Sequence, residues 1–241
     1  QDMADIGRVT QWENGICLPE PYHMQKLVAR LDTTVSKLLA GMPEEELMDI
    51  SIDTDDEESR KYFGMKIRVK RYSAGLYHKD VGSELEVAQN TVSEWENGKK
   101  MPWPRNMKKL SDLFGTTVSR LLSGMSQEAL MKVPSYDETN IKHRKAMAMK
   151  LKVLRYTKKM KVGQLARLVH VSTHKIAAWE RGDEFPAAEK IGPLAKLFGV
   201  PAKRLLRQPS AADLEALPNY SLRSGSGQVA PSQPGSGALP A

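Results

Sequence analysis

The sequence predicts an all-α protein assembled from three copies of one small helical unit. Three observations carry that expectation. The stretches "VTQWENGICLP" from Val9, "VSEWENGKKMP" from Val92 and "IAAWERGDEFP" from Ile176 keep Trp, Glu and Gly while their neighbours change. Trp12, Trp95 and Trp179 are 83 and 84 residues apart, a fixed period that marks internal repetition. Within a copy, Leu110, Leu113, Phe114, Val118, Leu121 and Leu122 recur at three- and four-residue steps, and nothing alternates as a strand does.

Taken in chain order, residues 1–42 hold copy one, with "HMQKLVARLDTTVSKLLAGM" after its motif. Gln1 aligns with Glu84, so this copy is expected to be truncated at its N-terminus. Residues 43–59 carry nine acids (Glu44, Glu45, Glu46, Asp49, Asp53, Asp55, Asp56, Glu57, Glu58) and no base, which predicts a solvated acidic linker with one helical turn after Pro43. Copy two covers 60–125: the basic helix "KIRVKRYSAGL" from Lys66, the motif, breaks at Gly98, Pro102 and Pro104, and "NMKKLSDLFGTTVSRLLSGM", in which Gly115 closes a helix. A second linker spans 126–141. Copy three, with a C-terminal helix, fills 142–218, and in its "KLKVLRYTKKM" the Lys, Val, Arg and Tyr of copy two recur at the same spacing. The Ser-, Gly- and Pro-rich 219–241 read as a disordered tail. Each copy amounts to about five short helices in roughly 60 to 65 residues, close to the smallest size that sustains its own core.

Composition narrows the function. Lys and Arg number 36 against 29 Asp and Glu, and the net charge of +7 favours an anionic partner. The one cysteine, Cys17, excludes an internal disulfide and a multi-cysteine zinc site, and favours a reduced, cytoplasmic setting. No apolar run approaches the roughly 18 residues of a membrane helix. The five histidines (His23, His78, His143, His170, His174) form no catalytic or metal-binding pattern with Cys17, and there is no phosphate-binding glycine loop. No catalytic residue, cofactor or metal is expected, and no enzyme.

The motif, the basic helix before it and the "LSDLFGTTVSRLL" stretch after it together resemble the lambda-repressor-like helix-turn-helix domains, also called Cro/CI or XRE. The resemblance implies tandem five-helix domains over 60–125 and 144–207 and part of one over 1–42. It sets the second helix of copy two near His78, the third near Gln89, and the turn around Glu86. Gly82 and Ala166 fall where the family uses a small residue between those helices. Glu86 and His170 stand where it usually has a left-handed glycine, a conformation costing a non-glycine residue about 1 kcal/mol.

Fixed and variable letters then separate. Trp95, three residues after Val92, is expected in the core. The resemblance implies that Glu96 pairs with Arg71, and Glu180 with Arg155. The readers should be the residues that vary at the start of the third helix, which in this family lies in the DNA major groove. Carried over, these are Gln89, Asn90, Thr91 and Glu94 in copy two, Ile6, Gly7, Arg8 and Gln11 in copy one, and Thr173, His174, Lys175 and Ala178 in copy three. The same resemblance implies that His78 braces a phosphate and the first base contact. An ordinary solvated helix face is the competing reading of each.

Charge complicates the picture. Residues 80–96 carry Asp80, Glu84, Glu86, Glu94 and Glu96 and no Lys or Arg, so compensation is expected from Lys99 and Lys100 and from Lys61, Lys66, Arg68 and Lys70. Copy three is approached by nine bases without an acid over 142–161 (Lys142, Arg144, Lys145, Lys150, Lys152, Arg155, Lys158, Lys159, Lys161), a stripe suited to phosphates. Asp183 and Glu184 should repel a backbone. The expected function is sequence-specific binding of double-stranded DNA by a multi-domain transcriptional regulator, with tandem modules in place of a dimer. The rival is a protein-interaction scaffold that lost its DNA surface and meets another protein through the acidic face of copy two.

Overall fold

Helix punctuation repeats with the period of the motif. The computed structural model describes residues 6–208, and all its regular elements are helices. Copy one contributes α1 (Ile6–Glu13), α2 (Pro21–Arg30) and α3 (Val35–Ala40), and is followed by α4 (Glu44–Asp49). Copy two is α5 (Glu57–Ser73), α6 (His78–Leu85), α7 (Gln89–Glu96), α8 (Pro104–Leu113) and α9 (Val118–Ser123), followed by α10 (Gln127–Lys132). Copy three is α11 (Ile141–Thr157), α12 (Val162–Leu168), α13 (Thr173–Arg181), α14 (Ala188–Phe198) and α15 (Ala202–Leu205). The tail over 219–241 and any helix over 209–218 lie outside the described residues.

Equivalent residues set equivalent helix ends. Pro21 and Pro104 open α2 and α8, where their missing N–H and fixed φ suit the first turn. Thr34 and Thr117 cap α3 and α9 by accepting from the Lys37 and Arg120 amides at 3.2 and 3.1 Å. Asp80 and Gln164 reach back to the amides of Tyr77 and Lys161, at 2.7 and 2.8 Å, to close the first turns of α6 and α12.

The two segments expected as linkers, the first of them solvated, are structural. Leu47, Met48 and Ile52 are buried in the first, and Leu130, Met131 and Val133 in the second. The acids of the first point outward around this apolar seam, and two of them neutralise copy two: Glu44 meets Lys70 at 2.5 Å and Asp49 meets Arg120 at 2.8 Å. Each segment docks on the copy that follows it. The Ile52 amide donates to Leu122 O at 2.7 Å, just as the Ser135 amide donates to Arg207 O at 3.2 Å. A count of charge per segment missed the apolar face because two buried apolar residues, Leu47 and Met48, suffice to seat a six-residue helix.

The copies share a core as well. The last two helices of each copy pack on the first helix of the next: α2 and α3 on α5, α8 and α9 on α11. One apolar cluster runs from Met48 to Leu205 through copies two and three, and a second joins Met24 and Val35 of copy one to Leu47, Val69 and Tyr72. Units too small to bury enough apolar surface alone gain it from their neighbours, as in repeat proteins. Ser36 and Ser119, small and buried, admit the next first helix, while the equivalent Lys203 is exposed, so copy three presents a polar outer face there.

Candidate nucleic-acid interface

The fixed letters build the helix-turn-helix frame. Val92 and Trp95 seat α7 on α5 and α6, and Ile176 and Trp179 seat α13 on α11 and α12. Gly98, at φ +68°, follows α7 with its backbone against α5; a Cβ there would come within 2.8 Å of the Lys61 nitrogen. Its carbonyl accepts from Arg60 Nε at 3.1 Å, and the Gly182 carbonyl accepts from Arg144 at 3.2 Å. Between α6 and α7, Gly82 allows the close approach: an added Cβ would meet Val87 O at 2.8 Å. Glu86 and His170 both adopt left-handed backbone, at φ +59° and +54°, so the turn keeps its geometry without glycine.

Glu96 is the hub of this frame. Its carboxylate, with a side chain only 2% exposed, accepts from Arg71 at 2.5 and 2.9 Å and from Arg68 at 3.3 Å, and lies 3.0 Å from His78 Nε2. Burial opposes the charge, but hydrogen bonds from Arg71 and His78 outweigh it and hold the carboxyl down at about 2. In copy three Arg155 grips Glu180 at 2.5 and 2.6 Å. His78, expected at a phosphate, is turned by its place at the start of α6 toward the end of α7.

Several cations assigned to phosphates are scaffold. Lys66 is fully buried and donates to Met48 O, Ile50 O and Leu121 O at 3.0, 2.5 and 3.2 Å. Lys150 does the same in copy three, meeting Val133 O and Ser135 Oγ at 2.7 Å and Leu205 O at 3.4 Å. Burial, with Arg120 near Lys66 and Arg207 near Lys150, pushes each ammonium down to about 7. These lysines tie the incoming segment to the last helix of the same copy. Lys152 is also buried, donating to Thr54 Oγ1 at 2.8 Å, and burial lowers its pKa. Lys70 is taken by Glu44 and Arg68 by Glu96 and Asn97. The basic stripe of 142–161 is therefore split between core and surface. A signal was present: Lys66 and Lys150 recur while their neighbours vary, as Trp and Glu do.

The variable letters lie outside. Gln89 and Asn90 are exposed at the start of α7, with Thr91 and Glu94 half-buried beside them. Thr173, His174 and Lys175 are exposed at the start of α13, as are Arg8 and Gln11 on α1. Ala178 is buried against the frame and cannot touch a base edge. Exposed Lys99 lies beside Lys100, which holds Glu94 at 2.9 Å, so that carboxylate is engaged before any cytosine arrives. Acid and base also cancel elsewhere. Arg105 and Lys109 lie 3.5 and 3.4 Å from Glu86, Arg181 meets Asp183 at 2.6 Å, and Lys175 pairs with Glu184. The repulsion expected from Asp183 and Glu184 is thereby reduced.

An anchored inner face and an exposed, variable start of the third helix define the helix-turn-helix class, in which that helix is the one that enters DNA. Residues 67–121 match the family described as Helix-turn-helix, and residues 146–208 the family described as Helix-turn-helix domain. The chain carries two such domains in tandem, of the Cro/CI-like (XRE) kind. It is similar to the HTH-type transcriptional activator BcrR of Enterococcus faecalis, 29% identical over 80 residues that make up 33% of this chain and 38% of BcrR. The chain thus spans well under half the length of that relative. No solved structure matches it. Among the described residues no helix is long and apolar enough to cross a membrane, and no group of His, Cys, Asp and Glu could hold a metal ion.

Proposed function

We propose that the chain is a multi-domain transcriptional regulator that binds double-stranded DNA sequence-specifically, placing the starts of α7 and α13 in the major groove. It is a binding protein, not an enzyme. The observation that carries this reading is the division within one short helix: Trp95 and Glu96 are buried while Gln89 and Asn90, two amides able to make paired hydrogen bonds to adenine, stand free at its start. The matching helix-turn-helix families and the name of the relative support it. The sets in copies two and three differ, so the two helices read different base sequences.

The test is titration of the full chain with duplex DNA at several salt concentrations, followed by selection from a random duplex pool. About six phosphate contacts give a slope near −5 for log affinity against log salt, at about −0.9 per contact. A slope near zero, with no sequence enriched from the pool, favours the interaction scaffold instead.

A further inference from the structure

The tandem arrangement does more than raise local concentration. Resting on the DNA-binding reading above, we infer that copies two and three form one rigid reading head, and that the groove at their junction is the path of a DNA phosphodiester strand passing from one module to the next.

Three observations meet in this proposal. First, no free tether separates the copies. Residues 124–140 are occupied by α10, by buried Leu130 and Met131, and by Ser135, whose side chain and amide bond to Leu205 O and Arg207 O. Lys150 closes the same joint from α11, and Lys152 reaches Thr54 in the segment before copy two. A relative motion of the copies would break the apolar contacts of α8 and α9 on α11 together with these buried hydrogen bonds. Second, the same contact scheme recurs between copies one and two, where α2 and α3 lie on α5, so the step from copy to copy is a property of the repeat.

Third, the segment that follows α7 adjoins the start of α12, the helix that precedes α13. The loop after α7 (Met101 to Trp103) and the first residue of α8, Pro104, face the first turn of α12 (Lys161 to Gln164) and Arg167 across a groove of about 490 Å³. In helix-turn-helix docking the helix preceding the reader crosses the sugar–phosphate backbone, so this groove lies beside the edge of α12 that meets a strand. Its chemistry suits one. Trp103, 62% exposed, is held under the Lys161 ammonium at 4.7 Å, and Lys161 and Arg167 are exposed cations with no acid among the groove residues. A large exposed indole fixed by a cation gives a flat wall for deoxyribose, and the two cations give partners for consecutive phosphates.

The consequence is a fixed operator phase. Once a duplex has been selected, base pairs whose preference changes in Asn90→Ala belong to α7, and those that change in His174→Ala belong to α13. Five base pairs inserted between them move the sites apart by about 17 Å and rotate them by about half a turn, and ten move them by about 34 Å in phase. A flexible 17-residue tether would reach about 23 Å on average and tolerate either insertion with modest loss. The rigid head should lose the gain of linked binding in both cases, about 100-fold or more. Lys161→Gln should also flatten the salt slope by about 0.9 without changing base preference.

A readout without DNA keeps the two proposals apart. Residual dipolar couplings of the free full chain should fit one alignment tensor across copies two and three. Two tensors, or a ten-base-pair insertion tolerated within about tenfold, overturns the rigid head while leaving DNA binding intact. An unchanged salt slope in Lys161→Gln overturns the groove as the strand path. Should no duplex be enriched at all, the DNA reading falls and the strand path with it, and the tensors alone then decide the coupling.

Discussion

Replacing Glu96 by alanine should destabilise the chain by about 3–5 kcal/mol, the range for leaving a buried charge without its partner. The magnitude follows from who loses what. Arg71, its side chain 3% exposed, keeps Leu76 O at 2.9 Å but loses both carboxylate bonds. Arg68 is better solvated and keeps Asn97 Oδ1 at 2.8 Å, so its share is below about 1 kcal/mol. The pH dependence gives an independent figure. Glu96 has a folded pKa of about 2 against the ordinary 4.5, so the folded state favours its charged form. The resulting stability, about 3 kcal/mol, is complete above pH 4.5 and is lost as pH falls toward 2. Urea unfolding followed by tryptophan fluorescence should show both effects. The midpoint of Glu96→Ala should drop at pH 7, and its stability should fall less steeply than the wild type's between pH 4.5 and 2. Glu96→Gln, which keeps the shape and one acceptor, should lie between the two. A cost below about 1 kcal/mol for Glu96→Ala at pH 7, or an unchanged acid limb, would refute the hub assigned to this carboxylate.

Further outcomes can be read in the same assays. Asn90→Ala should leave stability within about 0.5 kcal/mol, as expected for an exposed position, and weaken binding of the selected duplex by about 1–3 kcal/mol; an unfolded variant would reverse the division between frame and reader. Lys66→Met should cost about 1–3 kcal/mol at pH 9, because two buried carbonyls and a part-buried one lose their donor. Lys66 has a folded pKa near 7 against 10.5, so the unfolded chain binds the extra proton between those values and wild-type stability gains up to about 1.4 kcal/mol per pH unit from this lysine as pH rises from 7. Lys66→Met should lack that part of the slope, and identical slopes from pH 7 to 9 would remove Lys66 from the joint. Glu86→Gly relieves a φ of +59° worth about 1 kcal/mol while giving up exposed ion pairs worth about that or less, so stability should hold or rise slightly. Freed Arg105 and Lys109 should then strengthen binding to every duplex alike, and equal affinity for all duplexes would turn that face away from DNA.

The sequence by itself determined the repeat, the helical class and the frame inside each copy. Trp95 and Trp179 are in the core, Arg71 and Arg155 meet Glu96 and Glu180, and α6 and α7 begin at His78 and Gln89. The core tryptophans follow from helical periodicity and a period of 83 to 84 residues, while the Arg–Glu pairs and the two helix starts follow from the resemblance to a known family; all of them are relations within one unit. Only the tertiary structure decided how units meet. Whether Lys66, Lys150 and Lys152 face water or carbonyl and hydroxyl oxygens depends on which segment lies opposite, and those segments are 15 to 98 residues away. A lysine in the sequence shows its charge and hides its partners. The acidic segment misled for the same reason: its many charges needed only to point outward, while Leu47, Met48 and Ile52 held it against the next copy. Small helical units must borrow apolar surface from their neighbours, so their linkers became part of the core.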